Sequence, residues 1–219
     1  MPVSPLHFLL LFILVVIVLV ILQLEVLGIV LGKLGLSPES AVLLLFATLV
    51  GSAINIPVFR LHAQPGKMLE PPPLPRGFLG RPLPYHGTTV IAINVGGAMI
   101  PVGFCLYLLS IKSLPIINVL LGVGIVTCVS YLVSRPIKGL GIGMPILIAP
   151  LAAALAAVLL DPENSPSLAY ISGTLGVLIG ADLLRLKDIR QLATPVASIG
   201  GAGTFDGIFF TGIIAVLLA

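Results

Sequence analysis

Two aspartates near the C-terminal end of the sequence are the residues best suited to chemistry. Asp182 lies in the apolar string GVLIGADLLRL, and Asp206 lies in SIGGAGTFDGIFFTG. A carboxylate at the centre of a membrane helix costs about 2.5–3.5 kcal/mol on insertion scales, so acids in such positions are usually functional or paired. Two carboxylates that meet away from water tend to share one proton, so that one acts as acid and the other as base. The pair is therefore predicted to be catalytic.

Composition indicates that lipid is the solvent around most of this chain. Of the 219 residues, 58% are hydrophobic and 9% are charged, whereas average proteins carry about 25% charged residues. The net charge of +3 is too small and scattered for a nucleic-acid interface. No HExxH motif is present, and neither a metal nor a cofactor is predicted. We expect a multi-pass protein of the cell membrane in contact with lipid, with its oligomeric state left open.

Apolar segments predict an all-α polytopic fold, a single integral membrane domain over residues 1–219. A Pro-rich polar loop at about 60–87 separates the second span from the third. Nine Lys and Arg residues fall in the even-numbered loops and two in the odd-numbered ones, which predicts a cytoplasmic N-terminus and an external C-terminus. The seven predicted spans are 8–31, 41–59, 89–111, 114–133, 145–160, 165 to about 186, and 194 onward.

The third and seventh predicted spans contain residues that weaken a helix. TTVIAIN, before Val95, is rich in β-branched residues and is compatible either with an extended segment or with part of a kinked helix. Gly200–Gly203 holds three glycines, so that stretch is predicted to be non-helical or closely packed against a neighbouring backbone. Irregular backbone at membrane depth persists only where it is buried in protein or lines a wet cavity. The predicted substrate-binding residues are accordingly Asn94, Gly96, Gly97, Pro150, Gly201 and Gly203.

Gly176 and Gly180 form a GxxxG pair that predicts close helix packing. Asp182, two residues beyond Gly180, is expected to point about 200° away from that glycine face. The glycines are therefore expected to pack against one neighbour while the acid faces another direction.

The order of these features resembles the presenilin and signal peptide peptidase group of intramembrane aspartyl proteases. The shared features are an Asp on one helix, the basic loop RLKDIRQ, and a Gly-rich stretch before an Asp on the returning helix. The family's G-x-G-D string is here interrupted by Thr204 and Phe205, and Ala149-Pro150-Leu151 is a loose echo of its Pro-Ala-Leu motif. The chain also resembles an uncharacterised prokaryotic family of small multi-pass proteins. The protease resemblance implies that one Asp activates water while the other polarises the carbonyl of a membrane-embedded peptide.

Other interpretations of the same residues are open. Asp182 is three residues from Arg185 and is equally compatible with a helix-end ion pair. A small secondary transporter or proton- or cation-coupled carrier would use both acids and a cavity around Asn94. A scaffold would instead use the Pro-rich loop. If the seventh helix starts at Thr194, the two acids differ in depth by about 10 Å. Either a non-helical Gly200–Gly203 or a sixth helix that continues to Arg190 would remove this difference.

Overall fold

The computed structural model describes residues 5–62, 87–137, 141–189, 195–201 and 207–219. Most of this part of the chain is helical, and two helices contain a wider π turn. The helices are α1 (Pro5–Lys33), α2 (Pro38–Ser52), α3 (Ile100–Ile111), α4 (Ile116–Val133), α5 (Ile148–Leu160), α6 (Ser165–Val177), α7 (Leu186–Ile189) and α8 (Gly207–Leu218). The π segments are π1 (Val95–Met99), before α3, and π2 (Leu178–Leu183), after α6. The strands are β1 (Asn55–His62), β2 (Thr88–Asn94), β3 (Arg135–Ile137), β4 (Gly141–Gly143) and β5 (Val196–Ile199).

The strands correct the all-α prediction. The second predicted span ends as a helix at Ser52 and continues as β1, so Arg60–His62 is strand rather than loop. In the third predicted span, TTVIAIN is β2, so the extended alternative is confirmed and the kinked helix is wrong. The rest of the Pro-rich loop, residues 63–86, lies outside the described residues.

A three-stranded sheet joins segments that are distant in the chain. Its order is β1-β2-β5, with β2 antiparallel to β1 and parallel to β5. One face, which includes Ile91 and Ile199, packs on Ile189 of α7 and on Leu178 of π2. The sheet therefore lies against the end of the helix that carries Asp182.

The central helix of the bundle is α6, continued by π2. In the stretch Ser165–Leu183 the share of buried residues is 67%, against 22% in α4. Tyr170 is fully buried and meets Phe104 of α3 edge-on at a centroid distance of 5.0 Å. Helices α3, α4, α5 and α8 pack around α6. Protein therefore replaces lipid around the helix that leads to Asp182.

The predicted glycine face is confirmed. A Cβ added at Gly176 would lie 2.5 Å from Val126 Cβ, and one at Gly180 would lie 2.4 Å from the Thr127 carbonyl oxygen. Both contacts are with α4, so only glycine permits this approach of α6 and π2 to α4.

The described residues contain two helices that are long and apolar enough to cross a membrane, Ile116–Val133 and Ser165–Leu183. A third crossing is obtained if Glu25–Lys33 and Pro38–Ser52, bent by 108°, count as one span. Large apolar side chains cover the outside of α4, where Ile116 and Leu132 are 66% and 67% exposed. These features indicate a membrane protein.

Candidate active site

Asn94 is the polar centre of the junction between the sheet and the helices. Its side chain is 1% exposed, and its Oδ1 accepts the Gly97 N–H at 2.6 Å, which caps π1. Its Nδ2 donates to the Ser52 carbonyl oxygen at 2.7 Å and to Asn55 Oδ1 at 3.1 Å. A buried amide is stable only when it is satisfied in this way. Asn94 thus ties together the end of α2, the start of β1 and the break between β2 and α3.

Gly97 brings this network against the end of β5. A Cβ added at Gly97 would lie 1.8 Å from the Gly200 carbonyl oxygen, so no side chain fits there. Gly200 has φ +82°, and an added Cβ would lie 2.7 Å from the Ala98 backbone nitrogen. Both the space and the left-handed backbone therefore require glycine at position 200.

The prediction that this glycine stretch is non-helical or closely packed is confirmed for the two described glycines: Gly200 and Gly201 are non-helical, and Gly200 is also closely packed. Gly201 also has a positive φ, of 88°, and its N–H bonds back to the Ser198 carbonyl oxygen at 3.3 Å. Gly203, with the rest of residues 202–206, lies outside the described residues.

Asp182, in π2, also contacts the end of β5. Its Oδ2 accepts the Gly200 N–H at 2.8 Å, and the residue is half-buried in π2. A π turn changes the direction in which side chains leave a helix, and such turns are frequent at functional sites. Asp182 points to β5 while Gly180 faces α4, so the predicted separation of the acid from the glycine face is confirmed.

The ion pair of Arg185 is with Asp188, at 3.0 Å. The alternative interpretation, a helix-end pair between Arg185 and Asp182, is not found among the ion pairs of the described ranges. The same guanidinium donates to the carbonyl oxygens of Tyr131 and Ser134, at 2.7 and 2.9 Å. It also lies 4.3 Å from the centroid of the Tyr131 ring. Arg185 therefore fastens the end of π2 to the end of α4 and leaves the Asp182 carboxylate directed at β5.

The edge of β5 that faces away from β2 has no partner strand within the described residues. In a parallel ladder, every second residue of a strand directs its backbone groups toward the partner strand. The Val90 N–H donates to the Pro195 carbonyl oxygen. Ala197 and Ile199, two and four residues after Pro195, therefore also direct their backbone groups toward β2. The backbone groups of Val196 and the N–H groups of Ser198 and Gly200 then lie on the outer edge. The Asp182 carboxylate bonds to the last of these N–H groups. Asp182 thus lies at the end of a strand edge that has no partner strand among the described residues.

The remaining predicted site residues lie in different parts of the chain. Gly96 contacts α2, since a Cβ there would lie 2.0 Å from the Thr48 carbonyl oxygen. Pro150 is buried in α5, which packs mainly on α4, α6 and α8, so it belongs to the helical core rather than to this junction. Asp206, the second predicted catalytic residue, lies outside the described residues.

The start of α8 can be placed along the bundle relative to Asp182. Helix α8 runs antiparallel to α6, because a Cβ on Gly173 would lie 3.3 Å from Thr211 Cγ2 and Ser165 bonds Ala219. Gly207, four residues before Thr211, is therefore level with Val177. Asp182 is five residues beyond Val177, about 7.5 Å at the helical rise. Residue 206 directly precedes Gly207 in the sequence.

Sequence reasoning did not identify Asn55 or Ser198 as site residues. Ser198 Oγ donates to Asn55 Oδ1, which also accepts from Asn94. The signal available in the sequence was a polar residue directly after an apolar helix, but only strand pairing brings Asn55 and Ser198 together. No group of three His, Cys, Asp or Glu residues that could hold a metal occurs in the described ranges.

Residues 49–218 match the family model described as a protein of unknown function, DUF1614, and the chain belongs to that family. Comparison with curated proteins and with solved structures gives no match.

Proposed function

We propose that this member of the DUF1614 family is an intramembrane aspartyl peptidase, in which Asp182 and Asp206 hydrolyse a membrane-embedded peptide. The observation that carries the proposal is the position of the Asp182 carboxylate at the end of the outer edge of β5. An extended peptide added to that edge would run toward the carboxylate. Backbone hydrogen bonds to a sheet edge are a general means of binding extended peptides.

A strand edge without a partner strand is energetically costly where lipid surrounds the chain. Backbone N–H and C=O groups that face hydrocarbon without a partner cost several kcal/mol each, according to the general rule. A substrate helix that unwinds beside β5 satisfies both its own backbone groups and those of the edge. The edge of β5 therefore favours an extended peptide as the occupant. A hydrolase for such a peptide needs a water-activating group beside this edge.

The chemistry requires two carboxyl groups that share one proton. The ionised carboxylate removes a proton from water as the water oxygen attacks the peptide carbonyl carbon, and the protonated carboxyl donates its proton to the carbonyl oxygen. Collapse of the resulting gem-diol breaks the C–N bond: the leaving nitrogen takes up the proton held by the first carboxyl, and the second carboxylate takes a proton from one hydroxyl, which leaves a carboxylic acid and restores the shared proton. Asp206 is the proposed partner, because it precedes Gly207 in the sequence and α8 begins on the same side of the bundle as π2.

The proposed topology is multi-pass, with the sheet end in the cytoplasmic half of the membrane. Exposed Arg60, Arg135 and Lys187 lie at the sheet end, whereas Lys33 lies at the other end, where its Nζ donates to the Val216 carbonyl oxygen. The full loop count of nine basic residues against two favours the same orientation. Seven passes with an external C-terminus are part of this proposal.

Cysteine labelling from one side of the membrane measures this orientation. In a variant without Cys105 and Cys128, a cysteine at Lys187 is expected to react only after permeabilisation, and one at Glu163 to react in intact cells. Both positions are exposed, so access is set by the membrane rather than by burial. Equal labelling of both positions from outside would contradict the proposed topology.

The peptidase proposal is tested by reconstitution of the protein in bilayers with a set of single-span peptides. Mass spectrometry is expected to detect cleavage within the span by the wild-type protein and none by the Asp182→Asn, Asp206→Asn double variant. Asn preserves the volume and one acceptor oxygen of each residue while removing the proton-transfer group. Cleavage at the wild-type rate by the double variant would reject the proposal.

A carrier is the second candidate, and one observation favours it specifically. Two parallel strands, β2 and β5, lie side by side, and β2 leads directly into a helix through a glycine-containing break. Interrupted spans of this kind surround substrate sites in secondary transporters. Proton-coupled solute flux in the same proteoliposomes, lost in the double variant without any peptide cleavage, would favour the carrier over the peptidase.

A further inference from the structure

The orientation of the Asn55 amide is determined by a chain of hydrogen bonds that starts at the backbone. The Gly97 N–H is a donor, so the atom of Asn94 that contacts it must be Oδ1, and Asn94 Nδ2 faces Ser52 and Asn55. The Asn55 atom that accepts from Asn94 Nδ2 is then Oδ1. The Ser198 hydroxyl donates to the same oxygen. Asn55 Nδ2, with two N–H donors, is therefore the open end of the network.

This donor lies on the side of the sheet that α7 and π2 leave uncovered. Asn55 pairs with Asn94, and Ser198 pairs with Ala92, so all four residues project to one face. The opposite face carries Ile91 and is packed against α7 and π2. Asn55 is exposed and Ser198 is half-exposed. No hydrogen bond from Asn55 Nδ2 is found to any other residue in the described part of the chain.

The donor is also close to the unpaired edge of β5. Asn55 contacts Ser198 on β5, although β2 lies between β1 and β5 in the sheet. A peptide strand added to β5 would lie about 4.8 Å further along the sheet. The side chain of its residue beside Ser198 would project to the same face as Ser198 and Asn55. We expect a side chain of Gln length at this position to reach the Asn55 amide.

We infer that Asn55 is a specificity-determining residue, whose fixed amide N–H groups select a peptide with a hydrogen-bond acceptor side chain at the position beside Ser198. The inference rests on the proposed peptide binding at β5 and names its substrate class, a span that carries Gln or Asn within its apolar sequence. A donor-only side chain such as Lys faces two N–H groups there and is disfavoured. An aliphatic side chain offers these N–H groups no acceptor, so the hydrogen bond is lost.

Photo-cross-linking measures this preference without depending on cleavage. Val196 is replaced by p-benzoylphenylalanine, since its side chain is 45% exposed and lies two residues from Ser198 on the same face. The substrates are single-span peptides in which one residue, the guest, is Gln, Leu or Lys. A series of such peptides places the guest at successive positions along the span. For one position, Gln is expected to give about fivefold more cross-link than Leu, which corresponds to a hydrogen bond of about 1 kcal/mol.

The matched variant is Asn55→Asp. It keeps the oxygen that accepts from Asn94 and Ser198 but presents an acceptor instead of two donors outward. The preference is expected to reverse, with Lys above Gln. Ser198→Ala is the second variant, and it is expected to reduce the Gln preference because it removes one of the two bonds that hold the amide. Unfolding temperatures of both variants show whether either change acts through the fold.

Each outcome distinguishes the inference from the proposed function. Three outcomes would overturn the role of Asn55. They are equal cross-linking of the Gln, Leu and Lys peptides at every position, no cross-linking at all, and a Gln preference that is unchanged in both variants. Cleavage that persists without Asp182 and Asp206 would overturn the peptidase while leaving a guest preference intact. Cleavage that requires both aspartates but ignores the guest residue would retain the peptidase and reject the inference.

Discussion

Replacing Asp182 by Asn is expected to lower peptide cleavage by about 10²–10⁴-fold, the usual contribution of a positioned general acid or base. The variant should fold, because an Asn side-chain oxygen can still accept the Gly200 N–H that Asp182 Oδ2 accepts at 2.8 Å. The ability to exchange a proton with water or with a second carboxyl is removed. The measurement is the initial rate of product formation in proteoliposomes, together with the unfolding temperature of the same preparation.

Asp188→Asn is the matched control for this prediction. Asp188 is the nearest other acid in the chain, and it forms a half-exposed ion pair with Arg185 at 3.0 Å. Exposed and partly exposed pairs contribute about 0–1 kcal/mol, so this change should affect stability slightly and cleavage hardly at all. If the two variants retained the same cleavage rate, Asp182 would be a structural acid and the peptidase mechanism would be wrong.

Replacing Gly97 by Ala is expected to destabilise the protein by about 3 kcal/mol or more, the upper part of the range for overpacking. The added Cβ would lie 1.8 Å from the Gly200 carbonyl oxygen, and a backbone atom cannot move away as a flexible side chain can. Separation of π1 from β5 would also break the alignment of the Gly200 N–H with Asp182. Thermal unfolding in detergent should show a large decrease in midpoint, with cleavage lost as well.

Gly103→Ala, in α3 directly after π1, provides the contrast. No atom lies within 4 Å of a Cβ added at Gly103, and Ala is favoured over Gly in a helix interior by about 1 kcal/mol. This variant should therefore be as stable as the wild-type protein or more stable. Similar destabilisation by both substitutions would show that the close approach of Gly97 to Gly200 is not what holds this junction together.

The sequence by itself determined the features that depend on local chemistry. Ser37 caps α2 and Pro38 occupies its first turn, as the Ser-Pro-Glu string predicts, because a cap uses backbone groups only three residues away. Gly176 and Gly180 mark the contact with α4, since small residues at helical spacing permit close packing wherever the partner lies. The helix breaks at Asn94 and Gly200 were likewise predictable, because glycine and an amide disfavour a continuous helix in any surroundings.

The tertiary structure alone decided what the broken segments do. An apolar, β-branched run such as Val90–Ile93 suits a strand or a buried helix equally well, and the choice was made by β1 and β5, which supply the backbone partners. The contact of Asp182 with Gly200 was likewise decided by position in space. Arg185, three residues from Asp182 in the sequence, pairs with Asp188. Gly200 is brought to the Asp182 carboxylate by the parallel pairing of β5. Strand pairing joins residues that are remote in sequence, so no local pattern encodes it. In a chain surrounded by lipid it is enforced because backbone groups without water must find one another.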